Sequence, residues 1–258
     1  MKRTVEVGTV AGLAFGLVSI FGSFLMEGGK IGALIMVPAM TIVFGGTFAT
    51  AMIGTTFKQF TKMWKFALVA FLPPKHDVEK LIESIVRYAT VARKDGLLAL
   101  EKELGGIQHN FLKKMLRFAI DGTDPQTMRA VAEAEMGFLT ERHNANAAVF
   151  QKMGGYSPTM GIIGTVMGLI VTLANAGGDP NDLIHHIASA FIATLWGIFM
   201  ANIVWLPIAD KLKTIHSEEN LIMEVTLEGV LSLQAGEIPA IVRAKLRAML
   251  PSSEQGEI

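Results

Sequence analysis

Hydroxyl side chains lie deep inside two long apolar segments of this chain. Thr165 and Thr194 each fall near the middle of a stretch that contains no Asp, Glu, Lys or Arg. A threonine at that depth either donates a hydrogen bond to a carbonyl of its own helix or takes part in a polar path between helices. The two explanations are balanced for either residue alone, but two such hydroxyls on adjacent helices favour the polar path.

The same segments lack the group that ion conduction normally requires. A path for ions through lipid usually contains an ionisable side chain at depth, because carrying charge through hydrocarbon without one is costly. Glu6 and Asp210 lie only at the edges of the apolar segments. The chain therefore either moves no ion or depends on a partner that supplies the carboxylate.

Two other sets of titratable residues attract attention. His185 and His186 fall at one end of an apolar segment and could relay protons, although a polar flank at the membrane surface is the commoner explanation. Arg93 and Glu101 are eight residues apart, so they share a broad face on an unbroken helix. Gly96 lies between them, which is equally compatible with a helix–turn–helix. By sequence physics alone, an ordinary solvated surface is favoured there.

The composition excludes several classes of function. The chain has 258 residues and no cysteine, which excludes disulfides and thiolate metal sites. Its 23 basic residues balance 23 acidic ones, so no nucleic-acid partner is indicated. Phosphate-binding loops and the His-Glu-x-x-His and Gly-x-Ser-x-Gly motifs are absent from the sequence. We therefore expect no enzyme activity, no cofactor and no bound metal.

The elements that must carry these residues are membrane-spanning helices. Only 18% of the residues are charged and the mean hydropathy is +0.43, which is typical of a membrane protein. Four stretches are long enough to cross a bilayer, at about residues 7–26, 31–53, 153–176 and 183–209. Short turn-rich connections join them into two hairpins. We interpret the first stretch as a retained span, with a cleaved signal peptide as the minor alternative.

The basic residues predict the orientation. Of the 23 Lys and Arg residues, all except Lys30 fall on one side of the predicted spans. The positive-inside rule places that side, with both termini, in the cytoplasm. The predicted segments are a first hairpin at 1–56, a cytoplasmic helical domain at 57–152, a second hairpin at 153–210 and a cytoplasmic tail at 211–258.

The predicted cytoplasmic segments show helical periodicity. Apolar residues recur with a 3.6-residue repeat after Asp77, which is a candidate N-cap. Asp124 precedes Pro125 in the arrangement of a cap followed by the first residue of a helix. No strand-like alternation of any length is present. We therefore predict an all-α membrane protein with four spans in two hairpins.

Small residues recur at helical spacing in two of the predicted spans. The sets are Gly8, Gly12 and Gly16 in the first span, and Gly161, Gly164 and Gly168 in the third. Glycines at this spacing let helix backbones approach closely, which drives helix association in lipid. The sequence leaves open whether this packing lies within one hairpin, between subunits, or both.

Several stretches together carry a family resemblance. They are Phe44–Thr47, Ala92–Glu101, Gly155–Gly168, Ala190–Leu195, Ala201–Lys211 and Glu228–Pro239. In this order and spacing they resemble the A subunit of the flagellar motor stator, the MotA/PomA family, over nearly the whole chain. The shorter relatives ExbB and TolQ have three spans, so the fourth predicted span argues against them.

The resemblance implies partners and residue roles. Members of this family form a pentamer around a dimer of a single-span, MotB-like B subunit, which carries the ion-binding aspartate. Cytoplasmic charges push the rotor protein FliG, and Arg93 and Glu101 match those charges. Pro158 and Pro207 match prolines that shape the response of the channel to the ion, and Thr194 matches the channel threonine. The expected location is the bacterial inner membrane.

The transported ion is the least determined expectation. Thr165 matches a threonine found in sodium-driven members, whereas the motifs around it are more similar to the proton-driven branch. Protons are preferred, and a sodium-driven PomA-type stator is the alternative. A non-flagellar ExbB/TolQ-like motor is a further alternative. A membrane transporter is disfavoured because the two predicted hairpins differ in polarity, whereas transporters usually contain comparable repeats.

Overall fold

The computed structural model describes residues 5–75 and 77–251, and these residues form helices joined by short connections. The helices are α1 (Val7–Met26), α2 (Val37–Ile53), α3 (Phe57–Phe71), α4 (Val78–Asp95), α5 (Asn110–Ile120), α6 (Pro125–Ala174), α7 (Pro180–Gln234) and α8 (Pro239–Arg247). No extended strand occurs among the described residues. The prediction of an all-α fold is confirmed.

Three of these helices contain apolar stretches long enough to cross a membrane: α1, α6 and α7. The fourth apolar helix, α2, is shorter than its predicted span because residues Ile31–Leu34 form a separate 3₁₀ turn and Met36 is extended. Pro38 lies in the first turn of α2, where its missing N–H breaks no helical bond, so the helix begins there. The count of four spans stays a prediction.

Contacts divide the chain into two compact units. We call residues 5–74 and 143–215 the apolar unit, and residues 75–142 and 216–251, without residue 76, the polar unit. Helix α3 therefore packs with the apolar helices, and the C-terminal part of α7 packs with α4, α5 and α8. The four segments predicted from the sequence are divided where the predicted membrane spans begin and end, and that division stays a prediction.

The last part of α7 in the apolar unit contains a local irregularity. Residues Met200–Trp205 form a π-helical turn that ends two residues before Pro207. A proline inside a helix lacks its N–H and its ring clashes with the carbonyl four residues earlier, and a π turn relieves both effects by widening the helix. Pro158, in contrast, lies inside α6 with no such interruption.

The polar unit has its own apolar core. Buried residues of α4, α5, α7 and α8 meet there; the largest include Ile82, Ile85, Leu116 and Leu246. Local capping fixes the helix starts: Asp77 accepts a hydrogen bond from Lys80 N (3.1 Å), and Asp124 accepts one from Thr127 N (3.0 Å), with Pro125 as the first residue of α6. Both predicted caps are confirmed.

An ion-pair cluster joins α6, α7 and α8 within the polar unit. Glu228 pairs with Lys245 Nζ at 2.5 Å and with Arg129 Nη2 at 2.9 Å. The hydrogen bond from Lys245, and secondarily the one from Arg129, holds the pKa of Glu228 below its ordinary value, although partial burial opposes this. The cluster ties together three helix segments that are distant in sequence.

The cluster predicts acid-sensitive stability. Because the pKa of Glu228 is lowered in the folded chain, its contribution is present above the unfolded-state pKa and is lost as pH falls through the folded-state value. We expect Glu228→Gln to lower stability by about 1 kcal/mol near neutral pH and to reduce the further loss in acid. Thermal unfolding of the full chain in detergent measures both. Glu133→Gln, which removes only a 3.9 Å exposed pair with Arg129, is the matched control; an equal loss in both variants would contradict the assignment.

Candidate functional site

Helices α6 and α7 contact each other through backbone atoms in the apolar unit. A Cβ built on Gly161 would lie 2.8 Å from the carbonyl oxygen of Ala193, and one built on Gly197 would lie 2.7 Å from the carbonyl oxygen of Ser157. Cβ atoms on Gly164 and Gly168 would lie 2.7 Å and 2.9 Å from the alanine Cβ atoms that face them on α7. We call this contact the α6–α7 seam. Only glycine fits at its closest points.

Gly197 is a seam residue that has no signal in the sequence. It lies alone in its span, without a partner at four-residue spacing, so the small-residue pattern did not identify it. The three glycines of α1 behave differently. Gly8 and Gly12 have no heavy atom within 3.4 Å of a built Cβ, and Gly16 contacts only the Ile203 side chain at 3.3 Å. Close backbone packing within this chain therefore concerns the glycines of α6 and not those of α1.

The seam brings the two predicted threonines together. The Thr165 hydroxyl is within hydrogen-bond distance of the Thr194 hydroxyl, of the Ala190 carbonyl oxygen (2.9 Å) and of the Gly161 carbonyl oxygen (3.1 Å). A single hydroxyl hydrogen can go to only one of these at a time. Thr165 can therefore donate either within its own helix or across to α7, and its role in a polar path stays a prediction. We call Thr165, Thr194 and the two carbonyls the hydroxyl cluster.

The chemistry of the hydroxyl cluster is limited but specific. It offers four neutral oxygen atoms and no fixed charge, and the Thr165 hydroxyl is within hydrogen-bond reach of the other three oxygens. Such a group can hydrogen-bond a hydrated or partly dehydrated cation, but it cannot balance the charge of that cation by itself. The arrangement therefore suits one wall of an ion path that a carboxylate from elsewhere completes.

The two predicted prolines lie away from this cluster. Pro158 precedes Thr165 on α6 by about two turns, or about 10 Å. Pro207 follows Thr194 on α7 by about 20 Å. It lines a cavity of about 540 Å³ with Gly8, Gly12 and Asn202. The structure therefore brings the two threonines together and places neither proline in the hydroxyl cluster.

A charged pair lies at the same cavity. Lys211 Nζ is 2.8 Å from Glu6 Oε1, and the Glu6 amide donates to the Phe71 carbonyl at 3.0 Å. These contacts connect the start of α1, the end of α3 and α7. In the sequence, Glu6 and Asp210 lie at the edges of the predicted spans, and no pattern pairs Glu6 with Lys211. Their separation of more than two hundred positions leaves no local signal.

The segment between Arg93 and Glu101 is a turn and not an unbroken helix. Helix α4 ends at Asp95, Gly96 adopts φ +85°, and Leu97–Lys102 continues as a 3₁₀ turn. A positive φ is readily adopted only by glycine, which explains why the helix stops there. Leu100 is fully buried and holds the turn against the core.

The charged side chains around this turn are unpaired among the described residues. Among the described residues, no ion pair or side-chain hydrogen bond is formed by the five exposed charges of the turn: Arg93, Lys94, Asp95, Glu101 and Lys102. Earlier charges of α4 are paired; Arg87, for example, contacts Glu103 at 3.4 Å. We call these five residues the free-charge turn. Its five charges are therefore exposed to solvent and are not used for contacts among the described residues.

Comparison with known proteins assigns the chain to a family. Residues 104–225 match the model of the MotA/TolQ/ExbB proton channel family, and residues 10–96 match that of the Motility protein A N-terminal region. The chain is 35% identical to Motility protein A of Bacillus subtilis, over 100% of this chain and 96% of the relative. It is 34% identical to chemotaxis protein PomA of Vibrio alginolyticus, over 97% of this chain and 96% of the relative.

A solved structure agrees in fold. The flagellar MotAB stator complex from Bacillus subtilis contains a chain with a TM-score of 0.89 and 34% identity, over 95% of this chain and 96% of that chain. The resemblance inferred from the motifs is therefore confirmed, as is the membrane character. The family comprises ion-channel subunits of stators, which confirms the expectation that the chain is not an enzyme. The chain belongs to the MotA/PomA family of flagellar motor stator A subunits.

Proposed function

We propose that this chain, together with a single-span MotB-like B subunit, forms an ion channel that drives the flagellar rotor. The carrying observation is the hydroxyl cluster, which lies in the seam between the apolar stretches of α6 and α7, residues 153–176 and 183–209, and neither stretch contains a carboxylate. Such a site is incomplete for a cation, and a membrane carboxylate of a second chain completes it. The MotAB complex of the similar solved structure supports a partner of this kind.

The rest of the assembly follows the same proposal. The chain forms a pentamer around two B subunits in the bacterial inner membrane, with both termini and the polar unit in the cytoplasm. There the free-charge turn contacts FliG, so that ion flow turns the ring of A subunits against the rotor. The proline residues Pro158 and Pro207 shape how α6 and α7 respond when the ion binds. No cofactor or metal takes part apart from the transported ion.

Protons are the proposed ion, and a sodium-driven motor is the second candidate. Thr165 favours sodium because a second hydroxyl adds an oxygen ligand for a dehydrated cation, whereas the remaining motifs are similar to proton-driven relatives. We expect swimming speed to be independent of sodium concentration at fixed pH and ionic strength. Cells that express this chain with its B subunit, with potassium replacing sodium, provide the measurement. A steep dependence on sodium would select the second candidate.

The hydroxyl cluster itself predicts a substitution effect. Thr194→Val keeps the branched shape but removes the hydroxyl that meets Thr165, and a lost hydrogen bond of about 1 kcal/mol changes a rate by about fivefold. We expect a fall of this size in ion-driven torque, with Thr194→Ser retaining most of it. Thr172→Val is the control, because the Thr172 hydroxyl donates to Gly168 of its own helix at 2.8 Å. Equal torque in the Thr194→Val and wild-type motors would remove the cluster from the ion path.

A further inference from the structure

The two adjacent histidines near the start of α7 have different environments. His185 is exposed, whereas His186 is partly buried. The Nδ1 atom of His186 is sealed from solvent and has no hydrogen-bond partner among the described residues. Buried polar atoms are nearly always paired, so an unpaired one indicates that water or another molecule meets it in the working protein.

His186 lies in line with the hydroxyl cluster. Ala190, whose carbonyl lies within hydrogen-bond reach of Thr165, follows His186 by one helical turn, and Thr194 follows by two, on the same face of α7. A Cβ built on Gly168 of α6 would lie 3.5 Å from the His186 carbonyl oxygen, so this part of α7 packs against α6. His186 is about 12 Å from Thr194 along the helix axis.

Asp182 precedes His186 by one helical turn on the same face of α7, so it is an acidic neighbour of this position. The other titratable neighbours are Asp179, which caps the start of α7, and His185, whose ring centroid is 6.4 Å from that of His186. The facing part of α6, residues 164–174, and the whole of α2 contain no titratable side chain. The connection before α2 contributes Glu27 and Lys30. Histidine is the side chain whose charge ordinarily changes near neutral pH, and His186 is the partly buried histidine of this pair, next to the seam.

We propose that His186 controls the outer end of the ion path by its charge. This inference rests on the proposed function, which supplies both the path and its outward direction. A neutral His186 leaves the path open to cations, and its unpaired ring nitrogen meets the water that hydrates them. A protonated His186 opposes them. One positive charge about 12 Å away, at an effective dielectric constant of about 20, lowers cation occupancy of the cluster by about tenfold.

The test compares motors in whole cells at two external pH values. Wild-type, His186→Gln and His185→Gln chains are expressed with the B subunit, and single-motor torque is measured at about pH 8 and about pH 5. Variants are compared at the same pH, so changes in the driving force cancel. We expect His186→Gln to equal wild type at the higher pH and to exceed it several-fold at the lower pH. His185→Gln should follow wild type at both.

Each other outcome is decisive. Superimposed torque profiles for His186→Gln and wild type would overturn the proposal, as would equal relief by His185→Gln, which would indicate a general surface-charge effect. A second pair, His186→Lys and His185→Lys, carries a permanent charge: low torque at both pH values is expected only for the first, and equal torque in the two would overturn the proposal. A wild-type motor without ion-dependent torque would instead remove the proposed function.

Discussion

Reversing either charge of the free-charge turn, by Arg93→Glu or Glu101→Lys, is expected to lower motor torque several-fold while the chain still inserts and assembles. Both side chains are exposed and form no ion pair among the described residues, so the folded chain loses no contact on substitution. A contact with an oppositely charged group on the rotor would become a like-charge contact, which costs several kcal/mol. Torque of single tethered motors, with fluorescent B subunit as a measure of assembly, separates the two effects.

Arg117→Glu is the matched control for this prediction. Arg117 is also an exposed arginine of the polar unit with no ion pair among the described residues, but it lies on α5 and outside the free-charge turn. Its reversal changes the net charge by the same amount and in the same direction as Arg93→Glu, and it should leave torque near wild type. If Arg117→Glu reduced torque as much as the two turn variants do, the effect would not be specific to the turn, and the turn would lose its assigned role. Unchanged torque in both turn variants would remove the rotor contact altogether.

Adding a methyl group at the α6–α7 seam is expected to have the largest effect on stability. Gly161→Ala and Gly197→Ala would each place a Cβ within 2.8 Å of a backbone carbonyl oxygen on the facing helix. A backbone atom cannot rotate away as a side chain does, so the helices must separate. Overpacking of this kind costs about 1–3 kcal/mol. We expect a lower yield of folded chain and a melting temperature in detergent that falls by several degrees.

The same substitution on α1 is the control for the seam. A Cβ on Gly12 would meet no atom within 4 Å, so Gly12→Ala relieves the low helix propensity of glycine without a clash. Its expected effect on the melting temperature is zero or slightly positive. A loss in Gly12→Ala as large as in Gly161→Ala would show that the cost arises from glycine replacement in general and not from the seam. If Gly12→Ala destabilised only the assembled complex, Gly12 would lie at a contact between subunits.

Local features of the structure could be predicted from the sequence because neighbouring residues determine them. Asp77 and Asp124 are caps since their side chains reach backbone N–H groups three residues later. The sequence is compatible with either an unbroken helix or a helix–turn–helix at Gly96. The positive φ of Gly96 ends α4 there, as the helix–turn–helix requires. Hydropathy does not indicate where α2 begins, because the apolar run starts at residue 31, whereas the helix starts at Val37 after a separate 3₁₀ turn.

Contacts between distant segments could not be predicted in this way. In a helix whose faces are all apolar, the periodicity that normally identifies the buried face is weak, so hydropathy does not indicate which helices meet. Glycine spacing suggested packing on both α1 and α6, yet only α6 makes close backbone contact within the chain. Gly197, which completes that contact from α7, has no spacing signal of its own.

By itself, the sequence determined the membrane class, the helical content, the expected orientation and the absence of a carboxylate at depth, since these depend on residue type and order alone. Only the tertiary structure decided that Thr165 and Thr194 form one hydroxyl cluster and that His186, unlike His185, lies beside the same seam. The physical reason is that helix spacing fixes only the direction in which a side chain points. The residues that face a given side chain are determined only when glycine contacts bring two helices together.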